Sequence, residues 1–181
     1  MTKRLSPLRR VVTGHNEQGQ SIIIEDGAPP RVARVQARPG YAMANVWRTA
    51  SCPSNVHDAD SILEHKGVLP PKHGTVIRVI DIPPEPKDPE ELEKVLHATF
   101  RELYPDADHT KDKAVHQGMH KTATVDYAIV LAGSITAIMD EDETILNAGD
   151  ILIQRGTNHA WSNRSEGMCR IAFVLVDGRF E

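Results

Sequence analysis

From about His116 to the C-terminus, the sequence consists of short strand-like segments separated by closely spaced turns. The segment TVDYAIVLAG ends at Gly133-Ser134, ITAIMDEDETIL contains a polar hairpin turn, NAGD is a turn, and ILIQRGTNHAWSN and CRIAFVLVDG follow. Turns this short connect antiparallel strands, whereas parallel strands need crossovers of about a dozen residues or more. This half of the chain therefore predicts a β-sandwich or β-barrel and not a βαβ fold.

The first 85 residues also read as short strands broken by glycine and proline turns. The strand-like segments are SIIIEDGAPP, RVARVQARPG, YAMANVWRTA and GTVIRVIDIPPEP, and a long loop with at most one helical turn precedes the last of them. In that last segment Val76, Arg78 and Ile80 share one face of a strand, so Arg78 is predicted to point where apolar neighbours point. We expect residues 1–85 to form an N-terminal β extension that packs on a barrel core of residues 86–181, in one structural domain.

One helix is predicted over residues 89–103. Asp88 is a suitable N-cap, Pro89 suits the first helical position, and Tyr104-Pro105 ends the segment. Apolar residues recur at helical spacing at positions 92, 95, 96, 100 and 103. This pattern predicts a helix that packs on the outside of the β structure.

The bulk composition excludes several classes of protein. A chain of 181 residues with a formal charge of −4 fits one globular domain with no general attraction to nucleic acid or membrane surfaces. We expect neither a signal peptide nor a membrane span, because no apolar run is long enough. The two cysteines, Cys52 and Cys169, cannot form a disulfide framework, so a cytoplasmic protein with reduced thiols is expected.

The C-terminal half resembles the cupin family of small jelly-roll barrels, which two motifs define. The first motif has the form G-x5-H-x-H-x3–4-E-x6-G. In HKTATVDYAIVLAG, His120 stands at its first histidine, Thr122 at its second, Asp126 at its glutamate and Gly133 at its last glycine. This first motif is degenerate.

The second motif, G-x5-P-x-G-x2-H-x3-N, is better kept. Gly149, Gly156, His159 and Asn163 are all present, Gln154 replaces the proline, and the spacing after Gly149 is one residue short. The resemblance covers about residues 115–177. It implies an all-β cupin double-stranded β-helix (a jelly-roll barrel) with an N-terminal strand extension and one outer helix, and it implies a homodimer.

The resemblance also implies a site in the barrel lumen. Residues 120, 122, 124 and 126 fall on one face of a regular strand, so His120 and Asp126 can both face the lumen, where His159 would meet them. Metal-bearing cupins hold their ion with three histidines and a glutamate. Two histidines and a carboxylate can still form a facial triad, so His120, Asp126 and His159 are candidate ligands for iron, manganese, nickel or zinc.

The same residues suggest a metal-free alternative. A histidine beside a carboxylate in a partly dry pocket is a tunable general base, so His120, Asp126 and His159 are also candidate catalytic groups. The remaining candidates would bind a substrate through hydrogen bonds, a guanidinium group or an apolar wall: Thr122, Gln154, Arg78, Trp161 and Trp47.

Three functions stay open at this point. The first is an enzyme that performs acid–base chemistry on an oxygenated organic acid or ketone, as a lyase, decarboxylase or isomerase. The second is a metal-dependent oxygenase or decarboxylase, and the third is a non-catalytic sensor or binding protein. All three predict a small-molecule ligand in the lumen and neither nucleic acid nor membrane as a partner.

Overall fold

A computed structural model describes residues 5–109 and 115–181 of the chain. It contains one α-helix, α1, over Pro89–Leu103, and a single 3-10 turn over Ile62–Glu64. The strands, in chain order, are β1 Arg10–His15, β2 Ser21–Gly27, β3 Ala33–Arg34, β4 Ala42–Thr49, β5 Thr75–Ile82, β6 Asp108–His109, β7 His120–Lys121, β8 Thr124–Ala132, β9 Ser134–Ile138, β10 Glu143–Asn147, β11 Ile151–Arg155, β12 Ala160–Ser162 and β13 Cys169–Asp177.

Two antiparallel sheets enclose the core. The larger sheet has the order β11-β8-β13-β5-β4-β3 and the smaller has the order β10-β9-β12. Buried side chains from both sheets, such as Ala128, Ile171, Ile135 and Leu146, belong to one hydrophobic cluster. Strands β1 and β2 form a separate ribbon. The predicted all-β jelly roll is confirmed.

Strand alternation sets which side chains face the interior. In β8, Thr124, Asp126, Ala128 and Val130 are buried while the residues between them are more exposed. Asp126 pairs with Leu175 on β13, and on the other side of β13, Phe173 pairs with Arg78. A row of polar side chains therefore enters an otherwise apolar interior.

The N-terminal half contributes directly to the larger sheet. Strand β5 pairs with β13 along its whole length, from Thr75 to Ile82, and β4 pairs with β5. The larger sheet therefore contains strands from both residues 1–85 and residues 86–181. The segment RVARVQARPG, expected to be a strand, forms only the two-residue β3, because Pro39 has no backbone N–H to donate and Gly40 adopts a φ of 92°.

The helix begins as predicted. The Asp88 carboxylate accepts hydrogen bonds from the backbone N–H groups of Glu90 and Glu91, at 2.9 and 3.0 Å. Its apolar face, however, covers an interior cavity that Leu96 and Phe100 help to line, so α1 is more than an outer layer on the barrel. Within the described ranges, no helix has the length and apolar character that crossing a membrane requires.

Candidate functional site

A cavity lies between α1 and the inner faces of the sheets. It offers about 90 Å³ to the centres of water-sized molecules, enough for a small organic ligand. Its polar lining consists of Arg38, Tyr41, Arg78, Thr99, Tyr104, His120, Thr122, Asp126 and His159. Its larger apolar lining residues are Leu96, Phe100, Trp161 and Phe173.

Six of the eight site residues predicted from the sequence line this cavity: Arg78, His120, Thr122, Asp126, His159 and Trp161. Gln154 lies behind His159 and contacts its ring. Trp47 is not in the cavity, so its predicted role in the wall is not supported. The register of β4 shifts between Asn45 and Trp47, so that Trp47 pairs with Ile77 on β5. Ile77 is the neighbour of the inward-pointing Arg78 and therefore faces the other side of the sheet. Trp47 therefore faces the opposite side of the sheet and lies beside Arg10.

The two histidines of the site lie side by side. The backbone N–H of His120 donates to the carbonyl of His159, and the N–H of His159 donates to the carbonyl of His120, both at 2.9 Å. Their ring centroids are 4.3 Å apart. Because the backbone itself fixes this pairing, the relative position of the two imidazoles does not depend on a side-chain partner.

The proton on His120 can be assigned from its contacts. Its Nδ1 lies 2.9 Å from the carbonyl oxygen of Gly118, and a carbonyl only accepts hydrogen bonds. Nδ1 must therefore carry a proton. In the neutral imidazole this leaves Nε2 as a proton acceptor.

The contacts of His159 differ from those of His120. Its Nδ1 lies 2.9 Å from the carbonyl oxygen of Thr157 and 2.8 Å from the side-chain nitrogen of Gln154, which also lies 2.7 Å from that carbonyl. The carbonyl contact favours a proton on Nδ1, whereas the Gln154 contact favours a proton on Nε2, so both neutral tautomers are compatible with these distances. In the second tautomer the ring can donate a hydrogen bond from Nε2.

Burial keeps His159 neutral. The side chain is 2% exposed, and desolvation, with the charge of His120 as a smaller contribution, lowers its pKa to about 3. The site thus combines the imidazole of His120, which can accept a proton at Nε2, with the buried neutral imidazole of His159, which can donate from Nε2 in one of its two tautomers. Such a pair is suited to moving protons to and from a bound molecule.

Asp126 is a buried carboxyl group with an incomplete set of hydrogen bonds. It is 4% exposed, and burial raises its pKa to about 6, against the opposing effects of a hydrogen bond from Thr124 and the charge of Arg78. Its Oδ1 has no hydrogen-bond partner among the described residues. Near neutral pH this carboxyl group is therefore close to its titration point, which suits a proton store.

Arg78 points inward, as the alternation in β5 predicted. It is 2% exposed, and its Nη2 donates to the carbonyls of Val68 and Gly67 at 2.8 and 3.3 Å. Its Nε and Nη1 have no partner within residues 5–109 and 115–181. A buried guanidinium with two unused donors is a natural binding group for a carboxylate.

Two further histidines are buried. His65 has its Nε2 3.2 Å from Arg78 Nη2, and burial together with the Arg78 charge lowers its pKa to about 4. His116 is largely buried, with its Nε2 3.3 Å from Glu85 Oε1. Both come from loops that fold over the cavity end of the sheets, which local sequence does not reveal.

No motif or periodicity singles out Arg38, Tyr41 or Tyr104, although all three line the cavity. The hydroxyl groups of Tyr41 and Tyr104 are 2.8 Å apart. The guanidinium of Arg38 lies over the Tyr41 ring at 4.8 Å, and that of Arg78 lies over the Tyr104 ring at 5.7 Å. The only available signal was the turn sequence ARPGY, which predicts a loop and no chemistry.

The predicted metal ligands do not fit a metal centre in this arrangement. Across the described parts of the chain, no group of three or more His, Cys, Asp or Glu side chains is placed to hold an ion. The structure therefore does not support the ligand role predicted for His120, Asp126 and His159.

This arrangement makes a prediction about metal content. Purified protein is expected to hold less than about 0.2 equivalents of iron, manganese, nickel or zinc, because a divalent ion needs at least three well-placed ligands for tight binding. Elemental analysis by mass spectrometry measures this directly, with His159→Ala as the comparison. A stoichiometric metal that the variant loses would contradict the prediction and restore the metal-centre hypothesis.

Comparison with known proteins agrees with this fold. Residues 110–176 match the family described as "Cupin domain". A phomopsin biosynthesis cluster protein (C') of Diaporthe leptostromiformis is 29% identical over 181 residues, which cover 94% of this chain and 78% of that protein. The cupin-domain-containing oxidoreductase srdD of Neurospora crassa is 27% identical over 182 residues, which cover 96% of this chain and 76% of that protein.

Solved structures that match include KdgF from Halomonas sp., which is 10% identical with a TM-score of 0.45 and covers 82% of this chain and 89% of that one. The cupin domain of Cnp3 from Schizosaccharomyces pombe is 8% identical with a TM-score of 0.44, over 93% of this chain and 87% of that one. Taken with the second motif and the observed sheets, the family match shows that the chain contains a cupin domain over residues 110–176.

Proposed function

We propose that this protein is an enzyme that moves protons on a small carboxylic acid bound in the cavity, as an isomerase or a lyase. The observation that carries the proposal is the placement of the adjacent imidazoles of His120 and His159 in the same cavity as the guanidinium of Arg78, whose Nε and Nη1 have no hydrogen-bond partner among the described residues. One group binds the acid, one accepts a proton and one donates a proton.

The chemistry follows from these roles. Arg78 holds the substrate carboxylate through Nε and Nη1. His120 takes a proton from the carbon next to a carbonyl group, and the electron pair of that C–H bond moves to the carbonyl oxygen, which accepts a hydrogen bond from Nε2–H of His159. Where the substrate carries a C=C bond next to the deprotonated carbon, the electron pair extends over that bond, and return of the proton to the far carbon of the bond completes an isomerisation. Expulsion of a leaving group, protonated by His159, completes an elimination.

The cavity walls support this chemistry. Trp161 packs edge-on against both His159 and Phe173, at centroid distances of 5.7 and 5.1 Å, and Phe100 packs against His120 at 5.0 Å. These rings keep water from the imidazoles on the apolar side. Hydrogen bonds and charges act more strongly in such an environment than in bulk water.

Proton exchange in heavy water tests the proposal. Wild-type protein is expected to accelerate the loss of the α-proton signal of small 2-oxo acids, with 2-oxobutyrate as the first probe, because His120 abstracts that proton even when no later step follows. The measurement is the proton NMR signal against time. The substitution Arg78→Gln is expected to raise KM at least about tenfold, since a charge-assisted bidentate contact is lost.

The matched control is Arg101→Gln, which removes an exposed arginine from α1 and is expected to leave the exchange rate and KM unchanged. Exchange that never exceeds the rate in buffer across a panel of 2-oxo and 3-oxo acids would overturn the proposal. So would an Arg78→Gln variant with unchanged KM.

The names of the relatives favour oxidation as a second candidate. Relatives from Neurospora crassa, Aspergillus ruber and Hypocrea virens are called cupin-domain-containing oxidoreductases. Oxidation of a bound acid requires an external electron acceptor. Consumption of dissolved oxygen or reduction of NAD(P)+ in the presence of the same acids would support this candidate over proton transfer alone.

A further inference from the structure

We infer that the natural ligand of this cavity is a short dianion, such as a dicarboxylic acid, with one acidic group bound by Arg78 and the other by Arg38. The inference rests on the proposed function, because it concerns the substrate of the same cavity. It adds a second binding group and a class of substrate that the role of Arg78 alone does not require.

The guanidinium of Arg38 is a buried cation without a hydrogen-bonded counter-ion. The residue is 6% exposed and lines the cavity. Its backbone is fixed in a turn, where its N–H donates to the carbonyl of Val35 and its carbonyl accepts from the N–H of Tyr41. In the described parts of the chain, no hydrogen bond or ion pair joins its side chain to another residue.

The nearby carboxylate of Glu85 does not satisfy Arg38. Glu85 acts on Arg38 through its charge, but its oxygens lie against other groups. One oxygen accepts a hydrogen bond from Ser162, and the other lies 3.3 Å from His116. The side-chain N–H donors of Arg38 therefore remain available to a ligand in the cavity.

Both arginines border the same part of the cavity. They lie over the rings of Tyr41 and Tyr104, whose hydroxyl groups are in contact, and the charge of each arginine acts on both hydroxyl groups. Burial raises the pKa of both tyrosines, so neither supplies a negative charge at physiological pH. The tyrosine pair separates the two cations without neutralising them.

The acidic groups near the cavity supply no hydrogen-bonded partner to either cation. Asp126 is the acidic residue among the described lining residues, and burial raises its pKa to about 6. Glu85, outside the lining, acts on Arg38 through its charge but accepts its hydrogen bond from Ser162. A monocarboxylate can occupy one guanidinium and leaves the other without a partner. A dianion supplies an acceptor to each, and the limited space favours a chain of a few carbon atoms between its two acidic groups.

Calorimetric titration with succinate, glutarate and butyrate tests the inference. Wild-type protein is expected to bind the better of the two diacids at least about tenfold more tightly than butyrate. Arg38→Gln is expected to weaken diacid binding about 10- to 100-fold and to leave butyrate affinity within about twofold. Arg78→Gln is expected to weaken binding of all three acids, and Arg101→Gln to change none of them.

The outcomes separate this inference from the proposed function. Two results would overturn the inference alone, as long as butyrate binding still depends on Arg78. The first is that diacids bind no more tightly than butyrate. The second is that Arg38→Gln weakens the binding of all three acids equally. If none of the acids binds, both the inference and the proposed function fail.

Circular dichroism and the melting temperature show whether Arg38→Gln folds. Should it not fold, Arg38→Lys replaces it, because a lysine keeps the charge but loses the planar donor pair. That variant is expected to reduce diacid affinity about 3- to 10-fold with butyrate unchanged. An unchanged preference for diacids in Arg38→Lys would then contradict the inference.

Discussion

Replacing His120 with glutamine is expected to lower the rate of α-proton exchange about 10²- to 10⁴-fold, with KM changed by less than about threefold. Glutamine keeps a similar size and an amide donor toward the Gly118 carbonyl, but it cannot accept a proton. The effect should fall on the rate because the proposed carboxylate-binding group is Arg78, whose Nε and Nη1 donors this substitution leaves in place. Exchange rates measured by NMR over a range of 2-oxobutyrate concentrations separate the two parameters.

The control for this variant is His97→Gln, which removes an exposed histidine from α1. The backbone bonds that join His120 and His159 are independent of the side chain, so the melting temperature of His120→Gln should stay close to the wild-type value. A variant that folds normally and exchanges at the wild-type rate would remove His120 from the chemistry. His159→Gln, which keeps a hydrogen-bond donor, should lose less activity than His120→Gln.

The placement of several site residues could be predicted from the sequence because simple periodicity and a motif determine it. The alternation of side chains along β5 places Arg78 inward, and the same alternation over residues 122–126 places Thr122 and Asp126 inward. The second cupin motif identified His159, and Gly156 adopts the positive φ of 64° that the turn before it requires. The local sequence pattern was therefore sufficient to place residues that lie in a regular strand or in the turn of the second motif.

Other residues could not be placed because their positions depend on long-range packing. The bulge in β4 that turns Trp47 to the opposite face is not visible in its sequence. Arg38 and Tyr41 come from a turn, and Tyr104 from the end of a helix, so they meet only after the sheet and α1 have packed. No periodicity connects such residues.

Gln154 illustrates a third kind of difference. It was expected to hydrogen-bond a ligand, but it lies behind His159 and contacts the ring at 2.8 Å. It pairs with Asp126 across the sheet and is buried, so its face was predictable. Its partner was not, because the turn at Gly156 brings Thr157 and His159 back over it. The residue that replaces the motif's proline thereby contacts the ring of the motif's histidine.

Two buried groups give the folding stability opposite dependences on pH. For His159, the folded-state pKa of about 3 lies below the ordinary value of 6.5, so its stabilising contribution is complete above pH 6.5 and is lost as the pH falls toward 3. For Asp126, the folded-state pKa of about 6 lies above the ordinary value of 3.8. Its contribution is complete below pH 3.8 and is lost as the pH rises through 6. Between about pH 4 and 6 the two effects partly cancel.

The substitution Asp126→Asn should therefore stabilise the protein at alkaline pH. At pH 8 the wild type holds a buried carboxylate at a cost of about 1–3 kcal/mol, and a neutral amide avoids that cost while still accepting the Thr124 hydrogen bond. At pH 4 the carboxyl group is already largely protonated, so the variant should gain little. Urea unfolding at pH 4, 5, 6, 7 and 8 measures the free energy of unfolding directly.

The shape of the curve is the decisive result. Without the opposing effect of Asp126, the variant should lose stability more steeply than the wild type as the pH falls from 6.5 to 4, because only the His159 contribution remains. Asp58→Asn, at an exposed position, should follow the wild-type curve. An Asp126→Asn variant that is destabilised by the same amount at every pH would mean that the carboxylate is needed for packing or hydrogen bonding. It would then be ionised in the folded protein throughout this range, and its role as a proton store would fail with it.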